Sequence, residues 1–423
     1  MNRKSFDFDL ITLSLYALLV FMGWLTIYAV TSATGTTDPL ALHEEHGRQL
    51  MWVGISLAVG FVVLMLDIRF IEGVSYVAYG LALVLLVVVL FAGKEVNGAK
   101  SWLIIGGVQL QPSEFAKLAT ALALSRYMSS VNFSLSNTRQ FLTAALIVLL
   151  PAAIIIGQND TGSALVFGSF IFVFFREGLN PLVPILLLLV AAVVIMTLGI
   201  GNQLITAGII TGMVVLVYVL TFNRRQAVRS FFVHGLALAL FLGLSFGTST
   251  LVSKLKPHQQ KRIMVLFNPE ADPQGAGYNV IQSKIAIGSG GLTGKGFLQG
   301  SYTKYKFVPK QETDFIFCTV GEEFGWIGTT AVILLFALLL FRLRFMAENA
   351  KTRFSRIYGY SVLSILFFHV MVNIGMTIGL VPVIGIPLPF FSYGGSSLLA
   401  FSVLLAIMVN LYSYRVSILG SKS

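Results

Sequence analysis

Apolar residues fill long uninterrupted runs of this chain, and each run ends in a short polar segment. Twelve runs are long enough to cross bilayer hydrocarbon as helices. They cover residues 10–32, 49–66, 74–92, 112–129, 139–157, 161–176, 181–199, 203–222, 231–252, 315–341, 358–380 and 394–413. Helices that are apolar on every face are typical of membrane spans. The pattern therefore predicts an all-α polytopic transmembrane bundle of about 10–12 helices, forming a single domain over residues 1–423.

Lys and Arg in the polar segments predict the orientation of the bundle. Basic clusters at residues 223–229 and 342–356, and at both termini, fall on one side when the runs are counted as crossings. Cytoplasmic loops carry such an excess of positive charge, so both termini are predicted to be cytoplasmic. The first run has no small-residue cleavage site after it, which indicates an uncleaved first helix.

The composition agrees with a membrane protein. Of 423 residues, 56% are hydrophobic and 11% are charged, whereas about a quarter of the residues in soluble domains are charged. The net charge of +11 is then explained by topology and contact with membrane lipids, and nucleic acid is not an expected partner. The five histidines have no metal-ligand spacing, and the single cysteine, Cys318, forms no intramolecular disulfide.

One long loop, residues 253–312, is predicted to be extracytoplasmic although it holds nine Lys and Arg and only three acids. Long loops cross the membrane largely regardless of charge, so the predicted topology stands. Two interpretations are open: a solvated loop resting on anionic headgroups, or a surface for a phosphorylated ligand. The loop also contains six glycines within residues 288–301, in neither a Walker nor a Rossmann pattern.

Charged residues at the ends of apolar runs are candidates for function. In "QPSEFAK", Glu114 and Lys117 lie three positions apart and share a helical face. They form either an internal ion pair or a cavity site in which Lys117 meets a phosphate. In "QNDTGSAL", Asp160 is either a helix N-cap or a cavity carboxylate for a sugar hydroxyl or a divalent ion. His369 and Asn373 share a face four residues apart, and an interhelical hydrogen bond is the simpler role for this histidine.

Two further stretches stand out near the C-terminus. "VPKQETDFIFCTVGEEFGW" places Asp314 where the basic loop meets an apolar run, and Glu322 and Glu323 follow within that run. These two glutamates are expected to cap, pair or hydrogen-bond within the bundle. In residues 379–397, three prolines and four glycines interrupt apolar sequence. Such non-helical backbone is tolerated inside a membrane protein only where it is buried or lines a cavity.

These motifs, taken in order, resemble those of the SEDS family, whose members shape, elongate and divide bacteria. The resemblance runs from the first helix to about residue 413. It rests on "QPSEFAK", "QNDTGSAL", the stretch from "NPEADPQ" to "GLTGKG", "FVPKQETDFIF", "NIGMTIGL" and "IPLPFFSYGGSS". The last motif is similar to the elongation members rather than to the division members.

The resemblance implies a bacterial peptidoglycan glycosyltransferase of the inner membrane. It implies that the enzyme polymerises lipid II into glycan strands on the extracytoplasmic face, with a class B penicillin-binding protein that crosslinks the product. The "TDFIF" aspartate, here Asp314, is implied to be catalytic, and Glu114, Lys117 and Asp160 match family cavity residues. Two departures are present: Asn159 replaces a proline, and twelve runs replace ten spans. The extra pair is predicted within residues 181–252.

Joining an α-linked diphosphate donor to an acceptor hydroxyl through a β-linkage requires inversion, which a single displacement with one general base achieves. We assign this role to Asp314 as a hypothesis. The leaving diphosphate needs cations, and the candidates are Lys117, Lys310, Arg262 and a divalent ion, Mg²⁺ or Mn²⁺; no organic cofactor is expected. Two alternatives stay open from the sequence: a lipid II flippase, and the division member of the same family.

Overall fold

The protein is described by a computed structural model covering residues 9–32, 38–96, 98–106, 108–221, 227–254, 260, 264–265, 267–268 and 275–419. The chain divides into two compact units. The first combines Met1–Gly178 with Asn279–Ser423, and the second is Leu179–Tyr278. Arg262, one of the predicted diphosphate ligands, lies outside the described residues.

The first unit is a bundle of long helices with shorter ones between them. Before the second unit these are α1 (Leu10–Ser32), α2 (Glu45–Met65), α3 (Ile68–Ala92), α4 (Pro112–Met128), α5 (Thr138–Gly157), α6 (Thr161–Val166) and α7 (Ile171–Arg176). After the second unit they are α11 (Ala276–Ser289), α12 (Ser301–Lys304), α13 (Ile316–Glu348), α14 (Arg353–Thr377) and α15 (Gly395–Leu419). The boundary between the two units falls within α11. Several starts are set by side chains that accept a backbone N–H as N-caps: Asp67, Asn137, Asp160 and Thr352. Pro112 occupies the first turn of α4, as its missing N–H favours.

The second unit contains α8 (Leu182–Ile200), α9 (Gln203–Leu220) and α10 (Ala227–Ser253). The turn between α8 and α9 uses Gly201 at φ 65°, and Asn202 then caps α9. Large apolar side chains of α8 and α9 are mostly exposed, as expected for surfaces that face lipid. The location of an extra helix pair within residues 181–252 stays a prediction.

In the described part of the chain, ten helices are long and apolar enough to cross a membrane. The other two predicted crossings are also helical but shorter. Helix α4 has 17 residues, and a 3₁₀ turn at Phe167–Phe170 separates α6 from α7. The predicted all-α, multi-pass bundle is therefore confirmed.

A small antiparallel sheet was not predicted. Its strands β1 (Lys94–Val96), β2 (Ala99–Ile105) and β3 (Val108–Leu110) lie between α3 and α4. Val96 pairs with Ala99 and Ile105 with Val108, so each connection has two residues, Asn-Gly and Gly-Gly in the sequence. These dipeptides favour tight hairpin turns. The strands are too short to appear as long apolar runs in the sequence.

Helix α13 is broken near its start. Gly325 has φ 63° and ψ −158°, a conformation open essentially to glycine alone. The nine residues before the break therefore form a separate short helix, and Glu322 and Glu323 lie at its end. Residues 288–301, which we call the Gly-rich stretch, pack directly on this short helix, since a Cβ on Gly290 would stand 2.0 Å from the Gly321 oxygen.

Ion pairs gather at the end of the first unit opposite Asp314. Arg342 binds Asp9, with one Nη–O distance of 2.5 Å, so the start of α1 and the end of α13 lie together. Glu177 binds both Arg353 and Arg356, at 3.2 and 2.9 Å. The basic segment 342–356 thus lies at the same end as the start of α1. That this end faces the cytoplasm stays a prediction.

We expect Gly325→Ala to lower the free energy of unfolding by more than the roughly 1–3 kcal/mol that such a backbone conformation costs by itself. The added methyl would also stand 2.3 Å from the Gly294 nitrogen. Thermal unfolding in detergent measures the change. Gly73→Ala is the matched control, because Gly73 has nothing within 4 Å of the added methyl. Equal unfolding temperatures for the two variants would contradict the account of the break.

Candidate active site

A non-helical stretch, residues 378–394, joins α14 to α15, and we call it the proline-rich segment. It folds back into the bundle, where Leu388, Phe390 and Phe391 are buried. Its backbone is held in part by Ser392, whose hydroxyl accepts from the Leu388 N–H at 2.9 Å. The sequence prediction of a buried, non-helical element is confirmed.

The proline-rich segment is bound to the residues around Asp314. The Ser392 hydroxyl donates to the Thr313 carbonyl at 2.5 Å, and the Tyr393 N–H donates to the Glu312 carbonyl at 2.9 Å. Two consecutive peptide units before Asp314 are therefore fixed to the segment. This contact therefore fixes the position of Asp314, the catalytic candidate.

Asp314 itself is fixed through its own backbone. Its N–H donates to the Lys310 carbonyl at 3.1 Å, and its carbonyl accepts from the Asn373 amide at 2.9 Å. Lys310 has φ 55°, and its carbonyl also receives the N–H groups of Thr313 and Phe315. The Lys310 ammonium side chain is exposed beside this turn.

The Asp314 carboxylate lies beside Gly385 of the proline-rich segment. The residue is half-buried, and a Cβ built on the exposed Gly385 would be 3.2 Å from Asp314 Oδ2. Gly385 has φ 76°, which glycine adopts without strain. The missing side chain at Gly385 leaves space directly beside the carboxylate, where an acceptor group could approach.

Beneath the proline-rich segment lies a buried ion pair. Lys117 Nζ is 2.8 Å from Glu114 Oε1 and 2.9 Å from His369 Nε2. His369 Nδ1 is 3.1 Å from the Pro387 carbonyl. Because an ammonium group has only donors, His369 Nε2 must accept from Lys117. The ring hydrogen is then on Nδ1, which donates a hydrogen bond to the Pro387 carbonyl. Helix α4 is thereby linked through α14 to the proline-rich segment.

Lys117 is 1% exposed, and its ammonium also lies 5.1 Å from the centroid of the Phe401 ring. A phosphate reaches this lysine only if the contacts to Glu114 and His369 open. The geometry favours the internal ion pair that the sequence left open. Binding of substrate by Glu114 and Lys117 stays a prediction.

Asp160 caps α6 and also joins two helices. Its Oδ1 accepts from the Ser163 N–H at 3.0 Å, and its Oδ2 accepts from the Gln111 amide at 3.2 Å. The preceding Asn159 has φ 62°, which a proline ring cannot reach, so this departure from the family pattern changes the backbone. Gly162 packs against the proline-rich segment, since a Cβ there would be 2.9 Å from the Ile384 oxygen.

Four backbone N–H groups in or next to the Gly-rich stretch are bonded within the protein, so they are not available to bind a phosphate. The N–H groups of Lys295 and Gly296 donate to carbonyls of α13, and those of Tyr302 and Thr303 donate to the Glu322 carboxylate. Lys295 Nζ also lies 2.7 Å from Glu322 Oε1. Glu322 is therefore a structural partner, as expected from the sequence, and the glycines permit close packing.

The chain matches one protein family over almost its whole length. A family model described as a cell cycle protein, named for FtsW, RodA and SpoVE, matches residues 9–200 and 176–416. The chain belongs to this family. The resemblance drawn from the motifs is confirmed.

Its relatives in the FtsW, RodA and SpoVE family match over nearly their whole length. Peptidoglycan glycosyltransferase MrdB of Escherichia coli K12 is 33% identical over 418 residues, covering 98% of this chain and 97% of that protein. Peptidoglycan glycosyltransferase RodA of Treponema pallidum is 34% identical over 422 residues, covering 94% and 95%.

Two solved structures also match 97% of this chain and 98% of their own. One belongs to a study of how a peptidoglycan synthase complex coordinates polymerization and crosslinking, with 29% identity and a TM-score of 0.69. The other is rod shape determining protein RodA of Thermus thermophilus, with 26% identity and a TM-score of 0.61. The fold of this chain is the fold of the family, and the chain is a multi-pass membrane protein.

The sequence of this family member identified most of the side chains at the site but not the contacts between them. Gln111 begins the "QPSEFAK" motif, and the sequence predicts no role for it, although its amide binds Asp160. The four-residue spacing of His369 and Asn373 indicated a shared face, but not that both would hold the proline-rich segment. Gly385 was one of several glycines, and only the structure distinguishes it by its approach to Asp314.

We expect Lys117→Met to lower the free energy of unfolding by about 3–5 kcal/mol, because it leaves the buried Glu114 carboxylate without its charged partner. The double variant Glu114→Leu/Lys117→Met removes both charges and should recover most of that loss. Thermal unfolding of the purified protein in detergent checks both. An unchanged unfolding temperature for Lys117→Met, with a raised KM, would instead show that Lys117 serves the substrate.

Proposed function

We propose that this chain, a peptidoglycan glycosyltransferase of the RodA and MrdB type, polymerises lipid II with Asp314 as its general base. The observation that carries the proposal is the placement of Asp314. Its backbone is hydrogen-bonded on both sides, the residue is half-buried, and its carboxylate lies beside the exposed Gly385. A general base needs this combination of fixed position and access.

Each cycle makes one glycosidic bond and breaks one bond to diphosphate. The C4 hydroxyl of the acceptor N-acetylglucosamine gives its proton to the Asp314 carboxylate while its oxygen attacks the anomeric carbon of the donor. The bond from that carbon to the diphosphate oxygen breaks, and the polyprenyl diphosphate leaves with the electron pair. One displacement inverts the α-linked donor to a β-linked product. One carboxylate therefore suffices, in contrast to the pair used by glycosidases.

The leaving diphosphate requires positive charge nearby. Lys310 is the described cation closest in sequence to Asp314, and its side chain is exposed. The other predicted ligand, Arg262, is assigned to the diphosphate because guanidinium binds two oxygens at once. Lys117 would take part only after leaving its partners. Charge and exposure support Lys310, and the geometry of its guanidinium group supports Arg262.

A divalent ion would accompany the substrate. No group of three or more His, Cys, Asp and Glu side chains that could hold a metal occurs in the part of the chain that the structure describes. Mg²⁺ is commonly held by one or two carboxylates together with waters and substrate phosphates. Mg²⁺ or Mn²⁺ held by the lipid II diphosphate and water would supply charge neutralisation at the leaving group.

We propose that the reaction takes place on the extracytoplasmic face of the bacterial inner membrane, with both termini in the cytoplasm. The positive segment 342–356 supports this orientation, because it lies at the end opposite Asp314. A class B penicillin-binding protein is proposed as the crosslinking partner, since a structural neighbour belongs to a complex that coordinates polymerization with crosslinking. The activity shared by the relatives favours the transferase over the flippase.

We expect Asp314→Asn to abolish glycan polymer made from lipid II and Mg²⁺ or Mn²⁺ by purified protein with its class B partner. The amide is nearly isosteric but accepts no proton, so binding and folding should persist while the rate falls. Glycan chains are separated and counted on a gel. Glu312→Gln is the matched control, because it makes the same change two residues away and should retain activity. Polymer from Asp314→Asn equal to wild type would remove the base from this position.

A further inference from the structure

Asn373 on α14 makes an unusual pair of contacts at the site. It is fully buried, and its Nδ2 donates to the Asp314 carbonyl at 2.9 Å and to the Ile386 carbonyl at 2.8 Å. One amide group therefore joins the residue proposed as the base to the proline-rich segment. Ser392 and Tyr393 of the same segment bind the two residues before Asp314, at the carbonyls of Thr313 and Glu312.

The orientation of this amide is determined by its surroundings. Turning the amide over would place Oδ1 against two carbonyl oxygens, and acceptors repel one another. In the structure Oδ1 is buried and has no hydrogen-bond partner. Leaving a buried acceptor without a partner costs free energy, so a side chain chosen for stability alone would not keep it. The residue is suited to donating two hydrogen bonds at this point.

One helical turn earlier, His369 holds the next residue of the same segment. Its Nδ1 donates to the Pro387 carbonyl, while Nε2 accepts from the buried Lys117. Two adjacent carbonyls of the segment, those of Ile386 and Pro387, are thus fixed by one face of α14. Gly385, which approaches the Asp314 carboxylate, directly precedes them. The spacing between Gly385 and Asp314 is accordingly set from α14.

We propose that Asn373 is the positioning residue for Asp314, setting the distance of its carboxylate from the proline-rich segment at Gly385. The inference rests on the proposed function, in which Asp314 is the general base. Asn373 does not touch the reacting atoms in this account. It acts on the proton transfer through the backbone of Asp314, so its loss should slow the chemical step and leave substrate binding intact.

The test compares two asparagines of the same chemistry. Asn410 on α15 is also buried, and its Nδ2 donates to the carbonyls of Val63 and Leu66 at 2.8 and 2.9 Å. These lie at the other end of the bundle, where α2 ends. Asn373→Ala and Asn410→Ala therefore each remove two buried hydrogen bonds, but only the first acts at Asp314.

With lipid II as substrate, we expect Asn373→Ala to lower kcat about 10²-fold, as misplacement of a catalytic group by about 1 Å does. KM should change less than about threefold, since binding contacts are kept. Asn373→Ala and Asn410→Ala should lower the unfolding temperature by similar amounts, but Asn410→Ala should keep kcat near the wild-type value. If Asn373→Ala does not fold, Asn373→Ser, which keeps one donor, should show about a tenfold loss of kcat.

A second measurement separates positioning from general support. In the Asp314→Glu background, which keeps a base in a shifted position and so leaves a measurable rate, Asn373→Ala should cost much less than in the wild type, because the carboxylate is already misplaced. An equal kcat for Asn373→Ala and Asn410→Ala, or losses that multiply in the double variant, would overturn the proposal. A wild type without polymer, or an Asp314→Asn variant as active as wild type, would refute the proposed function instead.

Discussion

Backbone that leaves the helical pattern inside a membrane protein must find its hydrogen-bond partners within the protein. The proline-rich segment meets this constraint, and the site depends on how it does so. Its carbonyls at Ile386 and Pro387 accept from Asn373 and His369, and Ser392 binds both the segment and the Asp314 turn. The hydrogen bonds that satisfy the backbone of the segment therefore also fix the position of Asp314.

The buried ion pair acts as a support in this arrangement. Lys117 has only donors, and it directs them to Glu114 and to His369, which fixes the tautomer that binds Pro387. Removing two charges from water is costly, and hydrophobic replacements are often as stable. A charged pair at this position is therefore better explained by the orientation it imposes on His369 than by stability.

The sequence predicted the elements and the polar side chains, because long apolar runs and rare buried charges are strong local signals. It could not predict the break at Gly325, since a glycine in a helical run looks the same whether its φ is negative or positive. Nor could it predict that Lys117 would be enclosed, because spacing shows a shared face and not what covers it. The hairpins were missed although Asn-Gly and Gly-Gly marked their turns.

In the proposed reaction, Asp314 meets the acceptor hydroxyl while Lys117 stays with its internal partners. The most direct measurement is a structure of the enzyme with a non-hydrolysable lipid II donor and an acceptor saccharide bound. The account predicts an Asp314 carboxylate oxygen about 2.6–3.2 Å from the acceptor C4 hydroxyl, with Lys117 still bonded to Glu114 and His369. An acceptor bound away from Asp314, with Lys117 released onto the diphosphate, would contradict it.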